Sequence, residues 1–300
     1  MRLPKSTIPS TYNQQWQQAM SWVRESTPPE SIFVHWWDYG YWVQSIGERP
    51  TVTDGGHAIK YWDHLIGRYL LTTPNPETAL SFMKTQDVSY LLIDPSDLGK
   101  YPAYSKIGSN EEGRDRLSQI GIMLSNPSQT QETPNGTVRI FQGGVPVDED
   151  IIYGENNEIF LPEGNAIVAG VILESRNEGA LRTFVQPQGV FIYNQNQINI
   201  PIRYLYYNEN LFDFGEGLDA VIRIIPNVYQ NNQQVQIDDL GAAIYLSPKV
   251  SKSLFAQLYL LDDAFENYPT IKIAHSQSDP LISQLNSQGA NIRNFAYFGG

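Results

Sequence analysis

The chain has 300 residues, 41% of them hydrophobic, 12% aromatic and only 17% charged, a composition that folds into one large domain or two ordinary ones and excludes a disordered tail. Lys+Arg 20 against Asp+Glu 32 leaves a net charge of −12, the wrong sign for a surface that tracks nucleic-acid phosphates, so no nucleic-acid partner is expected. The absence of cysteine excludes disulfides, thiolate zinc sites and cysteine nucleophiles; all six tryptophans fall before residue 63.

The first periodic segment is Tyr12, Trp16, Ala19, Met20 and Val23, an apolar stripe at helical spacing with Ser10 and Thr11 as candidate caps and Pro28-Pro29 as its stop. Residues 31–34 predict a short buried strand that runs into His35-Trp36-Trp37-Asp38-Tyr39-Gly40-Tyr41-Trp42, where Gly40 and its polar neighbours suggest a turn. After a loop over 49–56, Ile59, Trp62, Leu65, Ile66, Tyr69 and Leu70 carry helical spacing. Asn75-Pro76-Glu77 reads as an N-cap, a first-turn proline and an acidic residue, opening a helix to about Thr85. Residues 88–93 then read as a buried strand ending at Asp94-Pro95. This alternation is an α/β arrangement with a parallel pair available, and it puts both the Trp-Trp-Asp segment and residues 94–100 beyond the carboxyl ends of the strands.

From about residue 145 the character changes to short β-branched and aromatic runs separated by Gly, Pro and Asn, at 166–173, 183–193, 197–207, 220–228, 235–237 and 242–246. The expected fold is therefore an α/β half, residues 1–145, followed by a β-rich sandwich- or barrel-like half, residues 146–300. Residues 125–136 look like a flexible polar excursion, Leu254, Leu258 and Leu261 mark a late helix, and 271–274 predict a last strand. No apolar run is long enough to span a bilayer, and Met1-Arg2-Leu3-Pro4 lacks the apolar stretch of a secretion signal.

Trp36-Trp37-Asp38 has a chemistry of its own. Two indoles supply stiff apolar walls and two N–H donors, and an ionised carboxylate only accepts. Two donors and one strong acceptor match a hydroxyl. The plainer reading is that the Trp pair is core and Asp38 caps a turn.

Trp36-Trp37-Asp38-Tyr39-Gly40 resembles the signature pentapeptide of the catalytic subunit of the archaeal-type N-glycosylation oligosaccharyltransferases, and an Arg49…Thr53-Asp54 stretch follows as in that family. The family's second signature, Asp, two residues, Lys, three residues, then Met or Ile, is matched at Asp97 and Lys100, with Tyr104 at the last position. The resemblance implies that Trp36, Trp37 and Asp38 bind the hydroxyl of the Ser or Thr two places after the acceptor Asn of an Asn-x-Ser/Thr sequon. Lys100 would partner Asp38 or donate to backbone, Asp97 would orient its turn, and Tyr39 and Gly40 would support the first motif. Tyr104, or Ile107 one turn on, would meet the threonine methyl. It further implies a soluble domain on the extracytoplasmic face of a multi-pass membrane enzyme, with no catalytic residue, metal or cofactor of its own. The Mn2+ or Mg2+, the catalytic carboxylates and the lipid-linked oligosaccharide would belong to an absent membrane half, leaving this fragment inactive alone.

Other readings compete. Asp54, His57, Asp63 and His64 could be assembled into the metal site of a hydrolase, though no His-Glu-x-x-His pattern is present. His35 reads as a buried histidine that could bias the charge of Asp38, and Asn135-Gly136-Thr137 is itself a sequon. A stand-alone carbohydrate- or protein-binding module, with Trp and Tyr stacking on sugars, is the alternative to sequon recognition.

Overall fold

The computed structural model describes residues 12–278 apart from 58, 60, 135, 155, 157, 179–180 and 232–233, together with 283 and 287. Ser10, Thr11 and Asn135 lie outside the described residues. Asn13 is the cap of the first helix, its side chain accepting from the Trp16 amide at 3.1 Å. That helix, α1 (Gln14–Ser26), is followed by β1 (Ile32–Val34), a 3-10 turn (Trp37–Tyr39), α2 (Gly40–Ser45), α3 (Tyr61–Ile66) continued by a π-turn (Gly67–Leu71), α4 (Pro76–Thr85), β2 (Val88–Leu91) and α5 (Asp97–Ile107). The expected parallel pair is present, with Phe33 opposite Tyr90 and Val34 opposite Leu91. Asn75 caps α4 as its sequence predicts, accepting from the Thr78 amide. Two expectations change. Gly40 opens a helix instead of making a turn, and the short helix or turn expected at Asp97 is the start of a continuous helix over 97–107.

Among the described residues the β-rich part is one large sheet. Its strands are β3 (Gly121–Ser125), β4 (Gln131–Thr133), β5 (Gly136–Pro146), β8 (Ile167–Glu178), β9 (Leu181–Phe184), β10 (Gln188–Tyr193), β11 (Asn196–Tyr207), β12 (Asn210–Asp213), β13 (Leu218–Asn231) and β14 (Gln234–Leu246). A separate hairpin, β6 (Ile151–Tyr153) with β7 (Ile159–Leu161), falls between β5 and β8. The order β5-β3-β14-β13-β11-β10-β8 returns to β5 through the β5–β8 pairing, so seven strands close into a barrel. Within this ring every pairing is antiparallel except β11 with β13. Three strands come from before or across residue 145, so the sheet begins earlier than the change in sequence character. Within the polar stretch 125–136, residues 127–129 form a short 3-10 turn and 131–133 form β4, which pairs with β5 from Gln131↔Val138 to Thr133↔Gly136. The expected strand at 271–274 does not form: these residues pair with no described strand, and Ile273 is 82% exposed.

Strands β13 and β14 are apolar on both faces for a physical reason. Ala220, Ile222, Ile224, Ala243 and Tyr245 fill the barrel with Phe141, Phe191 and Ile202. The alternate residues Val221, Ile225, Ala242, Ile244 and Leu246 point the other way and join Trp36, Tyr39, Leu70, Tyr104 and Phe255 in a second core. Alternation along a strand serves two cores when both faces are covered. Chain after the barrel, α6 (Pro248–Ser251) and a π-turn (Ala256–Leu260), completes that second core. A third, smaller cluster seats α1 through Met20 and Val23 on Phe33 and Val43. No described helix is long and apolar enough to cross a membrane.

Candidate functional site

Strand β1 delivers the chain to His35, which is buried and donates from Nδ1 to the Trp36 carbonyl at 2.7 Å. Burial pulls its pKa down to about 4, so the ring is neutral near pH 7. The 3-10 turn that follows splits its residues by direction. Asp38 faces outward, Tyr39 inward, and Trp37 is half-buried between them. Gly40 has to be glycine: a Cβ there would lie 2.5 Å from the Asp54 Cα and 2.8 Å from the Thr53 carbonyl oxygen. That close approach presses the 53–57 loop against the motif.

Helix α5 supplies the other half. Its first turn is organised by carboxylates: Asp97 Oδ2 accepts from the Asp94 amide at 2.9 Å, and Asp94 Oδ1 accepts from the Ser96 amide at 2.9 Å. Negative groups at a helix N-terminus meet its unpaired amides favourably. Three residues on from Asp97, the Lys100 ammonium reaches Asp38 Oδ2 at 2.8 Å and donates to the Tyr39 hydroxyl at 2.9 Å. The Tyr39 hydroxyl in turn donates to Asp97 Oδ1 at 2.7 Å. Asp38, Lys100, Tyr39 and Asp97 thus form one hydrogen-bonded chain from surface to interior. Asp38 and Lys100 have side chains 26% and 29% exposed, whereas Asp97 is 3% exposed and burial pushes its carboxyl up to about 7.

The structure does not bring all the expected residues to one surface. Trp36 is buried and packs on Tyr104 at a ring separation of 5.3 Å. Tyr104 is 0% exposed, wedged against Tyr101 and Phe255 with its hydroxyl on the Asp97 carbonyl at 3.2 Å. A ring with no exposed surface cannot touch a threonine methyl, so the contact expected of Tyr104 is corrected to a core role. Ile107, at the end of the same helix, is 41% exposed. The surface residues of the two motifs are therefore Trp37, Asp38, Lys100 and Ile107, supported from beneath by Trp36, Tyr39, Asp97 and Tyr104.

The histidines do not converge on a metal. His57 bonds through Nδ1 to Asp63 Oδ2 at 2.8 Å, while His64 donates from Nδ1 to the Ile107 carbonyl at 2.8 Å. Asp54 is used by its own loop, accepting from the Gly56 amide and from Gln44. Among the described residues no group of three or more His, Asp or Glu could hold a metal ion. What sequence reasoning missed is that His57 lies against Trp37, ring centroids 4.5 Å apart and steeply tilted. The spacing of Asp54, His57, Asp63 and His64 drew attention to metal chemistry, and nothing in that spacing reports a ring contact with a residue twenty positions earlier.

No family model matches the chain. It is 37% identical over 95 residues to dolichyl-phosphooligosaccharide-protein glycotransferase 1 of Pyrococcus furiosus, a match covering 31% of this chain and 10% of the relative. It is 29% identical over 148 residues to the Schizosaccharomyces pombe dolichyl-diphosphooligosaccharide–protein glycosyltransferase subunit stt3, covering 47% of this chain and 18% of that protein. The chain thus spans well under a quarter of the length of these relatives. Among solved structures, the C. jejuni pglb C-terminal domain overlays 82% of this chain and 91% of its own at 9% identity and a TM-score of 0.41. The apo Archaeoglobus fulgidus oligosaccharyltransferase overlays 92% and 24% at 14% identity and 0.42. Both overlays are distant, and the relation rests on the sequence matches: the chain is homologous, over 31% of its length, to the archaeal dolichyl-phosphooligosaccharide–protein glycotransferases.

Proposed function

We propose that the chain is the part of a membrane oligosaccharyltransferase that recognises the acceptor sequon Asn-x-Ser/Thr, its site receiving the hydroxyl two places after the acceptor asparagine. One observation carries this reading. Asp38 of the first motif and Lys100 of the second meet at 2.8 Å at the surface, next to the half-buried Trp37. Lys100 occupies Asp38 Oδ2 and leaves Oδ1 for a ligand. An ionised carboxylate accepts only, so an incoming hydroxyl donates to Asp38 and accepts from the Trp37 indole N–H. Trp36 backs this wall from the core. The homologues' name, glycotransferase, agrees with the reading.

The hydroxyl is the selective feature. A site built to hydrogen-bond a hydroxyl rejects an analogue lacking it strongly, because its polar groups are then left unpaired, whereas one methyl is worth only about 1–3 kcal/mol in an apolar pocket. Ile107, exposed at the far end of α5, is proposed to meet a threonine methyl. The lipid-linked oligosaccharide, the Mn2+ or Mg2+ and the transfer step are assigned to the membrane half of the enzyme on the extracytoplasmic side. Among the described residues no group of three or more His, Asp or Glu could hold a metal ion.

The test is an NMR titration of the chain with Asn-x-Thr and Asn-x-Val peptides, joined to transfer assays on the full-length enzyme. Binding of the threonine peptide in the weak, supra-micromolar range with little or none for valine is expected, and Asp38→Ala should abolish transfer with the fold intact. Undiminished transfer by that variant would overturn the assignment of Asp38. Sub-micromolar binding of free oligosaccharide, with no preference for the hydroxyl, would favour a stand-alone carbohydrate-binding module.

A further inference from the structure

The loop at 53–57 is built to place one side chain. Asp54 Oδ1 accepts from the Gly56 amide at 2.7 Å and Asp54 Oδ2 accepts from Gln44 Nε2 at 3.0 Å, which closes the loop on itself and ties it to α2. Gly55 lets the backbone pass the aromatic side chains: a Cβ there would lie 2.9 Å from a Tyr41 ring carbon and 3.8 Å from one of Trp37. The next side chain, His57, sits at φ 46°, a left-handed conformation that costs free energy for any residue but glycine and persists only when the surroundings hold it.

Two contacts hold it. Its Nδ1 bonds Asp63 Oδ2 at 2.8 Å, and Asp63 is buried with its other oxygen accepting from the Thr53 hydroxyl at 3.0 Å. Its ring lies 4.5 Å from the Trp37 ring at an interplanar angle of 64°. Edge-to-face packing of this kind fixes the orientation of the flat partner as well as adding contact area. A carboxylate on one imidazole nitrogen sets the tautomer and the ring plane, as in metal and catalytic sites where a second group orients the working one. Here the group in line is not a metal but the indole of Trp37.

We propose that His57, locked by Asp63, is a positioning residue that holds the Trp37 indole in the orientation that donates to the acceptor hydroxyl. This rests on the sequon-binding reading given above. The pair explains why a half-exposed histidine is kept in a left-handed conformation, and why a buried carboxylate sits opposite it without a cationic Lys or Arg partner among the described residues. Without His57 the indole would keep its place in the chain but lose the wall that stops it rotating.

The test uses the 15N-labelled chain, with the Trp37 indole signal identified by its loss in Trp37→Phe. The variant His57→Asn removes the ring while suiting the left-handed backbone, since asparagine tolerates that conformation; Asp63→Asn keeps an acceptor for the histidine and serves as the conservative partner. In H57N the Trp37 indole should show a clearly lower order parameter in the free protein, the Asn-x-Thr peptide should bind about fivefold more weakly, and the preference over Asn-x-Val should shrink. D63N should fall between wild type and H57N. In the full-length enzyme H57N should raise KM for the acceptor with kcat nearly unchanged. Wild-type indole order and wild-type preference in H57N would overturn the proposal while leaving sequon binding in place. If wild type itself shows no preference for threonine over valine, sequon binding fails, and the indole order alone then reports whether His57 positions Trp37.

Discussion

Asp97 shows how much one buried group can govern. It accepts from the Tyr39 hydroxyl and the Asp94 amide, and Tyr39 passes the connection to Lys100 and so to Asp38. Hydrogen bonds and the Lys100 charge favour its ionised form, but burial outweighs them and lifts its pKa from 3.8 to about 7. A carboxyl whose pKa is raised on folding binds its proton more tightly in the native state. Its contribution to stability is therefore fully present below about pH 3.8 and is lost as the pH rises through about 7. Asp97→Asn, permanently neutral, should remove this slope: its stability relative to wild type should rise by on the order of a few kcal/mol between pH 4 and 7.5 in urea titrations. A constant difference across that range would show that Asp97 does not titrate there. The same variant should weaken peptide binding, because Tyr39 loses a charged acceptor and Lys100 is held less firmly at Asp38.

At the scale of elements, α1 depends on a residue outside itself. Arg49 is 6% exposed, and its guanidinium donates to the carbonyls of Arg24 and Thr27, each at 2.6 Å, and to the Thr27 hydroxyl at 2.9 Å. The last carbonyls of a helix have no partner within it, and a cation at that end also meets the negative pole of the helix dipole. Arg49 further donates to the Glu48 carbonyl, which ties the following loop to the same point. Arg49→Met would keep much of the volume and strand these acceptors in the interior. The expected loss is about 2–4 kcal/mol in denaturant unfolding; a change within 0.5 kcal/mol (roughly the scatter of ordinary surface substitutions) would mean water replaces the guanidinium. Helix α5 is organised differently, with its site residues Asp97 and Lys100 in its first turn and its packing residues Tyr101 and Tyr104 in the next. Tyr101 and Tyr104 pack on Phe255 and so anchor the helix that carries Lys100 to Asp38.

For the whole molecule, the shared core has a consequence for folding. Val34, Tyr39, Leu70 and Tyr104 from the helical part interdigitate with Val221, Ile244 and Leu246 of the barrel wall and with Phe255 from the closing segment. The helical part and the barrel share this core across their boundary, so they should unfold together. The tryptophans make this measurable, because all six lie before residue 63 and report only on the helical part, while far-UV circular dichroism is dominated by the barrel. Fluorescence and dichroism transitions in denaturant should coincide. Phe255→Ala, which empties the space between Tyr101, Tyr104 and Tyr259, should shift both by about 3–5 kcal/mol; two separated transitions would show that the halves are independent.

The division between what sequence and tertiary structure decide follows from range. Periodicity and caps are local, and so α1, α4, the parallel strands at 32–34 and 88–91, and the β-rich character of the second half were legible, as was the Trp-Trp-Asp motif from its pentapeptide. Strand pairing is not local. Residues 131–133 become a strand only because β5 offers them an edge, while 271–274, apolar enough to be read as a strand, find none among the described residues. The runs 235–237 and 242–246 read as two strands but merge into β14, since β13 pairs along both. The site divides in the same way. Sequence named Asp38, Lys100, Tyr104 and Ile107 together, but helical geometry sends Tyr104 into the core and leaves Ile107 at the surface. That Lys100 reaches both Asp38 and the Tyr39 hydroxyl, and that His57 meets Trp37, depends on how a helix and a loop from distant parts of the chain pack around one short turn. Such contacts are set by the packing of the whole fold, and no local pattern of residues encodes them.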